Sequence, residues 1–245
     1  MTTALLTRPV QREHAHRRQL VFAWSALVFV ALLLVGLVPL MRFVPPPSPG
    51  SDAQTIAAQY RDHLTGVRCG AVLCIVGVSL LAVWGAVIAA RTRRTEGAVP
   101  VLTYAQLIST AIATLIAVVI FVVWATAAFR PDQVSPETTR TLNDLGWFLF
   151  LFDTPPFMLW LAVIGMSILL NRSEHRLFPR WAGYFALWIA LLQAPPLGIV
   201  FFKTGPFAFN GLFAFWTTLF SFLAFVLVMT VLLINDITHE LQEAD

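Results

Sequence analysis

"FLFDTPPFMLW", Phe150–Trp160, sits in the middle of a long apolar stretch, yet it carries a carboxylate at Asp153 and adjacent prolines at Pro155 and Pro156. In hydrocarbon a carboxylate must be desolvated and paired. A proline removes a backbone N–H that nothing in lipid replaces. Whether this stretch crosses a membrane therefore decides the fold, and composition answers. Of 245 residues, 58% are hydrophobic and 12% charged, with a mean hydropathy of +0.77. Soluble domains run near ~25% charged, so the chain reads as an integral membrane protein. Alternating strand patterns are absent, so helices must satisfy the backbone in lipid. The expected fold is an all-α polytopic helical bundle.

Working outward, six apolar spans emerge: Leu20–Met41, Val67–Ala90, Val101–Phe129, Leu145–Leu170, Trp181–Phe202 and Gly211–Ile234. Each reaches the roughly 20 residues that cross about 30 Å of hydrocarbon. The organisation expected is a basic tail over 1–19, one transmembrane domain over 20–235 and an acidic tail over 236–245. An N-terminus inside places Arg8, Arg12, Arg17, Arg18, Arg91, Arg93, Arg94, Arg172, Arg176 and Arg180 in the cytoplasm, ten basic residues. Arg42, Arg61, Arg68, Arg130, Arg140 and Lys203, six in all, then lie outside. That asymmetry puts both termini in the cytoplasm.

The N-terminal "REHAHRR" precedes an apolar run of about 22 residues, longer than the 7–15 of a signal-peptide core, and "FVPPPSP" offers no cleavage pattern. The first span is therefore retained. Its basic flank sets orientation and touches anionic headgroups. A nucleic-acid partner is not indicated, because these charges belong to a short membrane-flanking tail.

Two connections look structured. In "SDAQTIAAQYRDHL", Ser51 and Asp52 are capping residues, and Ile56, Ala57, Tyr60 and Leu64 share a face, so an amphipathic interfacial helix is expected near 51–64. In "SPETTRTLNDLGW", Ser135 reads as an N-cap with Pro136 at the first helical position and Glu137 beside it. The fourth helix is then expected to begin about ten residues, roughly 15 Å, before the hydrocarbon. A lid over a cavity and ordinary loop packing both account for these segments.

Cys69 and Cys74 lie too far apart along one helix for an unstrained bridge. Cys74 instead continues a stripe of small residues, Gly66, Gly70 and Gly77, that admits a close neighbour. His14, His16, His63, His175 and His239 all fall outside the apolar spans, which argues against a histidine-held haem or metal in the bundle. No Walker A, dinucleotide or "HExxH" pattern occurs. The sequence implies no cofactor and no metal.

Asp153 is the one acid well inside a span, about 12 Å below the start at Leu145, while Asp144 sits at the boundary. It should face the bundle, pair with a donor (Lys203 or Gln193) or stay protonated. A structural hydrogen bond is the plain alternative; otherwise it is the one candidate catalytic residue, with no further catalytic group defined. Pro155 and Pro156 free the carbonyls of Leu151 and Phe152. "LLQAPPLGIV" repeats the device, with Gln193 ahead of Pro195 and Pro196 and the carbonyls of Leu191 and Leu192 expected free. Measured from the connection "NRSEHRLFPR" at ~1.5 Å per residue, Asp153 and Gln193 fall within about two turns in depth, in the outer half. Broken helices at matching depth are how membrane proteins build polar sites.

"FFKTGPFAFNG" is too apolar for a solvated loop and adds Lys203 and Asn210. Lys203, the only lysine among the 16 basic residues, is an interfacial anchor, the counter-ion of Asp153 or Asp144, or the headgroup contact of an anionic ligand. The candidate ligand-binding set is therefore Asp153, Gln193, Lys203, Asp144 and Asn210, with Phe152, Phe157 and Trp160 as an aromatic wall. Interfacial belts explain many of the same aromatics.

The segments "FVPPPSPGSDAQTIAAQYRDHLTGVR", "LNDLGWFLF" and "FFKTGPFAFNG" resemble bacterial multi-pass membrane proteins with no assigned activity, and the arginine-rich, lysine-poor usage resembles a GC-rich bacterium. The resemblance implies a bacterial cytoplasmic membrane and no chemistry. Three function classes follow. First comes a protein that binds a lipid-, isoprenoid- or sterol-like guest, or a membrane partner's helix, in an outer cavity. Second is an intramembrane enzyme using Asp153 for acid–base chemistry on an isoprenoid- or sterol-like substrate. Third is a small secondary transporter, against which no inverted repeat is found.

Overall fold

The computed structural model describes residues 3–171 and 177–242, with backbone alone for 3–15 and side chains unassigned at Thr95. The Arg8, Arg12 and His14 side chains, together with Arg172, His175 and Arg176, lie outside the described residues. All regular structure in the described residues is helical: α1 (Thr3–Val35), α2 (Ala53–Asp62), α3 (Leu64–Thr92), α4 (Val101–Ala127), α5 (Pro136–Leu151), α6 (Thr154–Leu170), α7 (Arg180–Leu192) and α8 (Thr218–Gln242). Six stretches are long and apolar enough to cross a membrane: His16–Leu40, Leu64–Thr92, Val101–Ala127, Pro136–Leu170, Arg180–Val200 and Leu212–Gln242. The chain is a multi-pass helical membrane protein.

Consecutive spans pack side by side, α1 on α3, α3 on α4, α4 on both α5 and α6, α6 on α7, and α7 on α8. The last span then packs back on the first, α8 against α1, so the six spans close a ring. Very close approach holds the α1–α3 edge of this ring. A Cβ at Gly70 would lie 2.4 Å from Met41 Cγ and 2.8 Å from the Gly36 carbonyl, and one at Gly36 would lie 2.3 Å from Cys74 Sγ. Only residues without a side chain allow two backbones this near. The approach coincides with a π-helical turn at Gly36–Leu40, where Pro39 removes one helical N–H and Met41 bonds back to the Gly36 carbonyl at 2.9 Å.

Helix ends are satisfied by identifiable groups. Ser135 Oγ accepts from Thr138 N at 3.2 Å and Pro136 opens α5, as the local sequence dictates. Asp52, not Ser51, caps α2 by accepting from Thr55 N at 2.7 Å. Those hydrogen bonds hold the Asp52 carboxyl below its ordinary value, with the backbone bond from Thr55 the main cause. The chain bends at His63, so Leu64 begins α3 rather than extending the buried face of α2, which consists of Ala53, Ile56, Ala57 and Tyr60. That face packs on α5. Glu96 accepts from the backbone N–H groups of Leu102 and Thr103, each at 2.9 Å, and so caps α4. At the other end of α4, Arg68 donates to the carbonyls of Ala128 at 3.0 Å and Phe129 at 2.8 Å.

The two ends of the ring differ. At the end that carries the chain termini, the guanidinium of Arg91, 0% exposed, pairs with Asp236 at 3.0 Å and Glu240 at 2.7 Å. Glu240 also meets Arg94 at 2.9 Å and His16 at 3.3 Å. The expected acidic tail therefore differs in its first part: Asp236–Gln242 are the last turns of α8, held by these ion pairs. At the opposite, distal end, Tyr60 donates to Asn143 Oδ1 at 3.3 Å and Trp124 Nε1 donates to the Asn143 carbonyl at 3.4 Å. Beside them Trp124 and Trp147 pack with ring centroids 4.9 Å apart, and Trp147 stacks on Phe209 at 5.9 Å. This aromatic plug fills the distal core.

Candidate functional site

The fourth span is broken where the sequence requires. α5 ends at Leu151, Phe152 and Asp153 leave the helix with ψ of −14° and 11°, and α6 restarts at Thr154. The prolines then occupy the first turn of α6, where a missing N–H costs nothing. The fifth span breaks after Leu192, and Pro195–Val200 continues as a 3₁₀ segment. Here one expectation is corrected. The Leu191 carbonyl is not free: the tighter turn lets Ala194 N bond to it at 3.0 Å.

Both breaks open onto one cavity of about 80 Å³ within the ring. Every span contributes to its wall: Phe29 and Leu33 from α1, Val78 and Leu81 from α3, and Ala117, Ile120 and Phe121 from α4. Phe150, Asp153, Thr154 and Phe157 come from the α5–α6 break, Gln193 from the end of α7, and Thr218, Leu219 and Phe222 from α8. The wall is apolar except for Asp153, Thr154, Gln193 and Thr218.

Those four side chains divide into two kinds. Gln193 is pinned, its amide donating to the Thr218 carbonyl at 3.3 Å and to Ser221 Oγ at 2.9 Å, so it braces α7 against α8. Asp153 Oδ2, Thr154 Oγ1 and Thr218 Oγ1 are buried and have no hydrogen-bond partner among the described residues. A buried polar group left without a partner costs about 1–3 kcal/mol. Three of them on one small cavity is a concentrated cost, and each is an oxygen that could meet a polar group placed inside.

The candidate residues named from sequence separate into four groups. Asp153, Gln193 and Phe157 line the cavity together. Trp160 lies one layer away, fully buried, edge-on to Trp84 at 6.0 Å and beside Phe157 at 6.3 Å. Phe152 is 40% exposed and turns toward Phe148, because leaving the helix at the break rotates it off the inner face. Asp144, Lys203 and Asn210 are not on the cavity wall. Asp144 accepts from Asn143 Nδ2 at 3.2 Å and lies 4.0 Å from Arg140 Nε.

Lys203 is exposed and lies off the cavity wall, and Asp153 Oδ2 has no hydrogen-bond partner among the described residues. Lys203, one counter-ion expected for Asp153, belongs to the rim, and the Gln193 amide is committed to α8. The rim loop itself is folded, turning at Gly205 with φ of 81° and bonding Ala208 N to the Gly205 carbonyl at 3.2 Å.

Two of the oxygens were not anticipated. Thr154 was in plain view, adjacent to Asp153. Thr218 sits in "FWTTLFSF", where a polar pair interrupts an aromatic run, but its direction depends on where α8 begins after the π-helical turn Leu212–Thr217. The aromatic wall is likewise Phe29, Phe121, Phe150, Phe157 and Phe222 rather than the fourth span alone. No protein-family model, no curated protein and no solved structure matches the chain.

Proposed function

We propose that the chain is a guest-binding protein of the bacterial cytoplasmic membrane, with both termini in the cytoplasm, and that an apolar molecule with a polar head occupies the central cavity. The observation that carries this reading is the set of three buried oxygens, Asp153 Oδ2, Thr154 Oγ1 and Thr218 Oγ1, unpartnered on one otherwise apolar wall. Buried polar atoms are almost always hydrogen-bonded; others without a partner are scattered through the bundle, but these three share one cavity, which supports a site there. The ten-to-six distribution of basic residues supports the orientation, which puts the distal half outside.

Size narrows the guest. A cavity of about 150 Å³ takes benzene, and this one is about 80 Å³. A fused-ring sterol body is too large for it, whereas the polar tip of a slender acyl or isoprenyl chain fits. A partner's helix, about 10–12 Å across with its side chains, does not fit inside the ring either. The enzyme reading rests on the same carboxylate. Among the described residues Asp153 is the only ionisable group on the wall, so a substrate would have to supply the second proton-transfer group itself.

Gentle extraction followed by native mass spectrometry tests the proposal. Wild type is expected to retain a lipid-like mass, and Ala117→Leu, which fills the cavity from α4, is expected to lose it. Wild type without any retained guest, together with a higher melting temperature in Ala117→Leu, would show the cavity to be a packing gap.

A further inference from the structure

The guest's head can be specified further, and this step rests on the guest-binding reading. The cavity wall carries charge of one sign only. Asp153 is acidic, and among the described residues no lysine, arginine or histidine lines the space. The one side-chain N–H donor among the described wall residues, the Gln193 amide, is already bonded to the Thr218 carbonyl and to Ser221. The groups that remain are acceptors or hydroxyls: Asp153 Oδ2, Thr154 Oγ1 and Thr218 Oγ1. Five phenylalanines complete the wall, and ring faces attract cations, more strongly once both partners are out of water.

An anionic head would meet Asp153 at low dielectric with no basic side chain among the described wall residues to receive it, which is strongly unfavourable. A neutral alcohol satisfies one or two oxygens and leaves the carboxylate without a counter-charge. An ammonium group meets every requirement of the wall together. Its charge opposes that of Asp153, its N–H groups can donate to the carboxylate and the threonine hydroxyls, and its alkyl side can lie against the rings. A compact head also suits about 80 Å³. We propose that the cavity is selective for a lipophilic amine, a small protonated amino group on a single apolar chain.

The test uses the full chain in nanodiscs at pH 7 with three probes that share a tail, dodecylamine, dodecanol and dodecanoate, and reads binding by native mass spectrometry. Wild type is expected to hold dodecylamine at least about tenfold more tightly than dodecanol and to take up no dodecanoate. In Asp153→Asn the amine is expected to fall to the level of the alcohol. Equal binding of amine and alcohol by wild type would overturn the charge selectivity while leaving guest binding intact. Failure of all three probes, with no co-purified guest, would overturn both. The wild-type comparison alone decides the matter even if Asp153→Asn folds poorly.

Discussion

Asp153 and Gln193 line the same cavity from two broken helices, yet they do not bond to one another: the Gln193 amide is spent on the Thr218 carbonyl at 3.3 Å and Ser221 at 2.9 Å. Gln193 therefore acts as the brace and Asp153 as the group left for something else. The same polar-then-Pro-Pro device gives different outcomes because the backbone after Gln193 tightens into a 3₁₀ segment, while the backbone after Asp153 restarts as an α-helix.

The α1–α3 edge depends on absent side chains. Gly70→Val would drive a Cβ into Met41 Cγ and the Gly36 carbonyl, at 2.4 and 2.8 Å. Backbone cannot step aside, so a loss of about 1–3 kcal/mol or more is expected. Cys69→Ala, one position away and exposed, should change stability by no more than about 0.5 kcal/mol. Melting temperatures in one detergent compare the two; equal melting would contradict the close packing.

Removing Arg91 should be costly. It is 0% exposed between Asp236 and Glu240, whose side chains keep 16% and 28% exposure. Breaking a buried pair costs about 3–5 kcal/mol, and the solvent left to the two acids lowers the expectation for Arg91→Met to about 2–4 kcal/mol. Asp236→Asn added to Arg91→Met should recover part of that loss. A double variant less stable than Arg91→Met would contradict the ion-pair account.

At high pH the distal end should fail first. Tyr60 is buried, and its burial, with the Asp144 charge adding to it, raises the phenol well above its ordinary value of 10.0. A group whose folded pKa is raised contributes fully below its unfolded pKa, so this contribution is complete below pH 10 and is lost as pH rises beyond it. Tyr60→Phe should lose about 0.5–1.5 kcal/mol at pH 7, with the bond to Asn143 gone, and should show a shallower decline in alkali. Parallel alkaline slopes for the two proteins would remove this role from Tyr60.

Reporter fusions placed after Arg130 and at the C-terminus should report opposite sides of the membrane, the C-terminus cytoplasmic. Reports from the same side would contradict a ring of six spans, and a periplasmic C-terminus would reverse the orientation.

What could be read from sequence followed the range of the interactions. Six spans, the Ser135–Pro136 helix start and the breaks at Asp153 and Gln193 are set by hydropathy, capping and missing N–H groups within a few residues. The longer reach of α8 was not legible, because Asp236 and Glu240 read as solvated charges until Arg91, far off in the chain, is placed beside them. The partner assigned to Asp153 missed for a related reason. Lys203 sits exposed on the loop that turns at Gly205, off the cavity wall. Thr218 reaches the cavity only through the register of α8 after its π-helical turn. Rotation about a helix axis decides such contacts, and composition does not reveal it.

The central claim, that Asp153 is retained for a guest, is tested most directly by measuring guest retention and melting temperature together in wild type, Asp153→Asn and Asp153→Ala. Asparagine keeps the shape and removes the charge. The account predicts that Asp153→Asn melts close to wild type but loses the retained guest. Unchanged guest retention in Asp153→Asn, with a clearly lower melting temperature in Asp153→Ala, would contradict it and leave Asp153 as a structural group at a helix break.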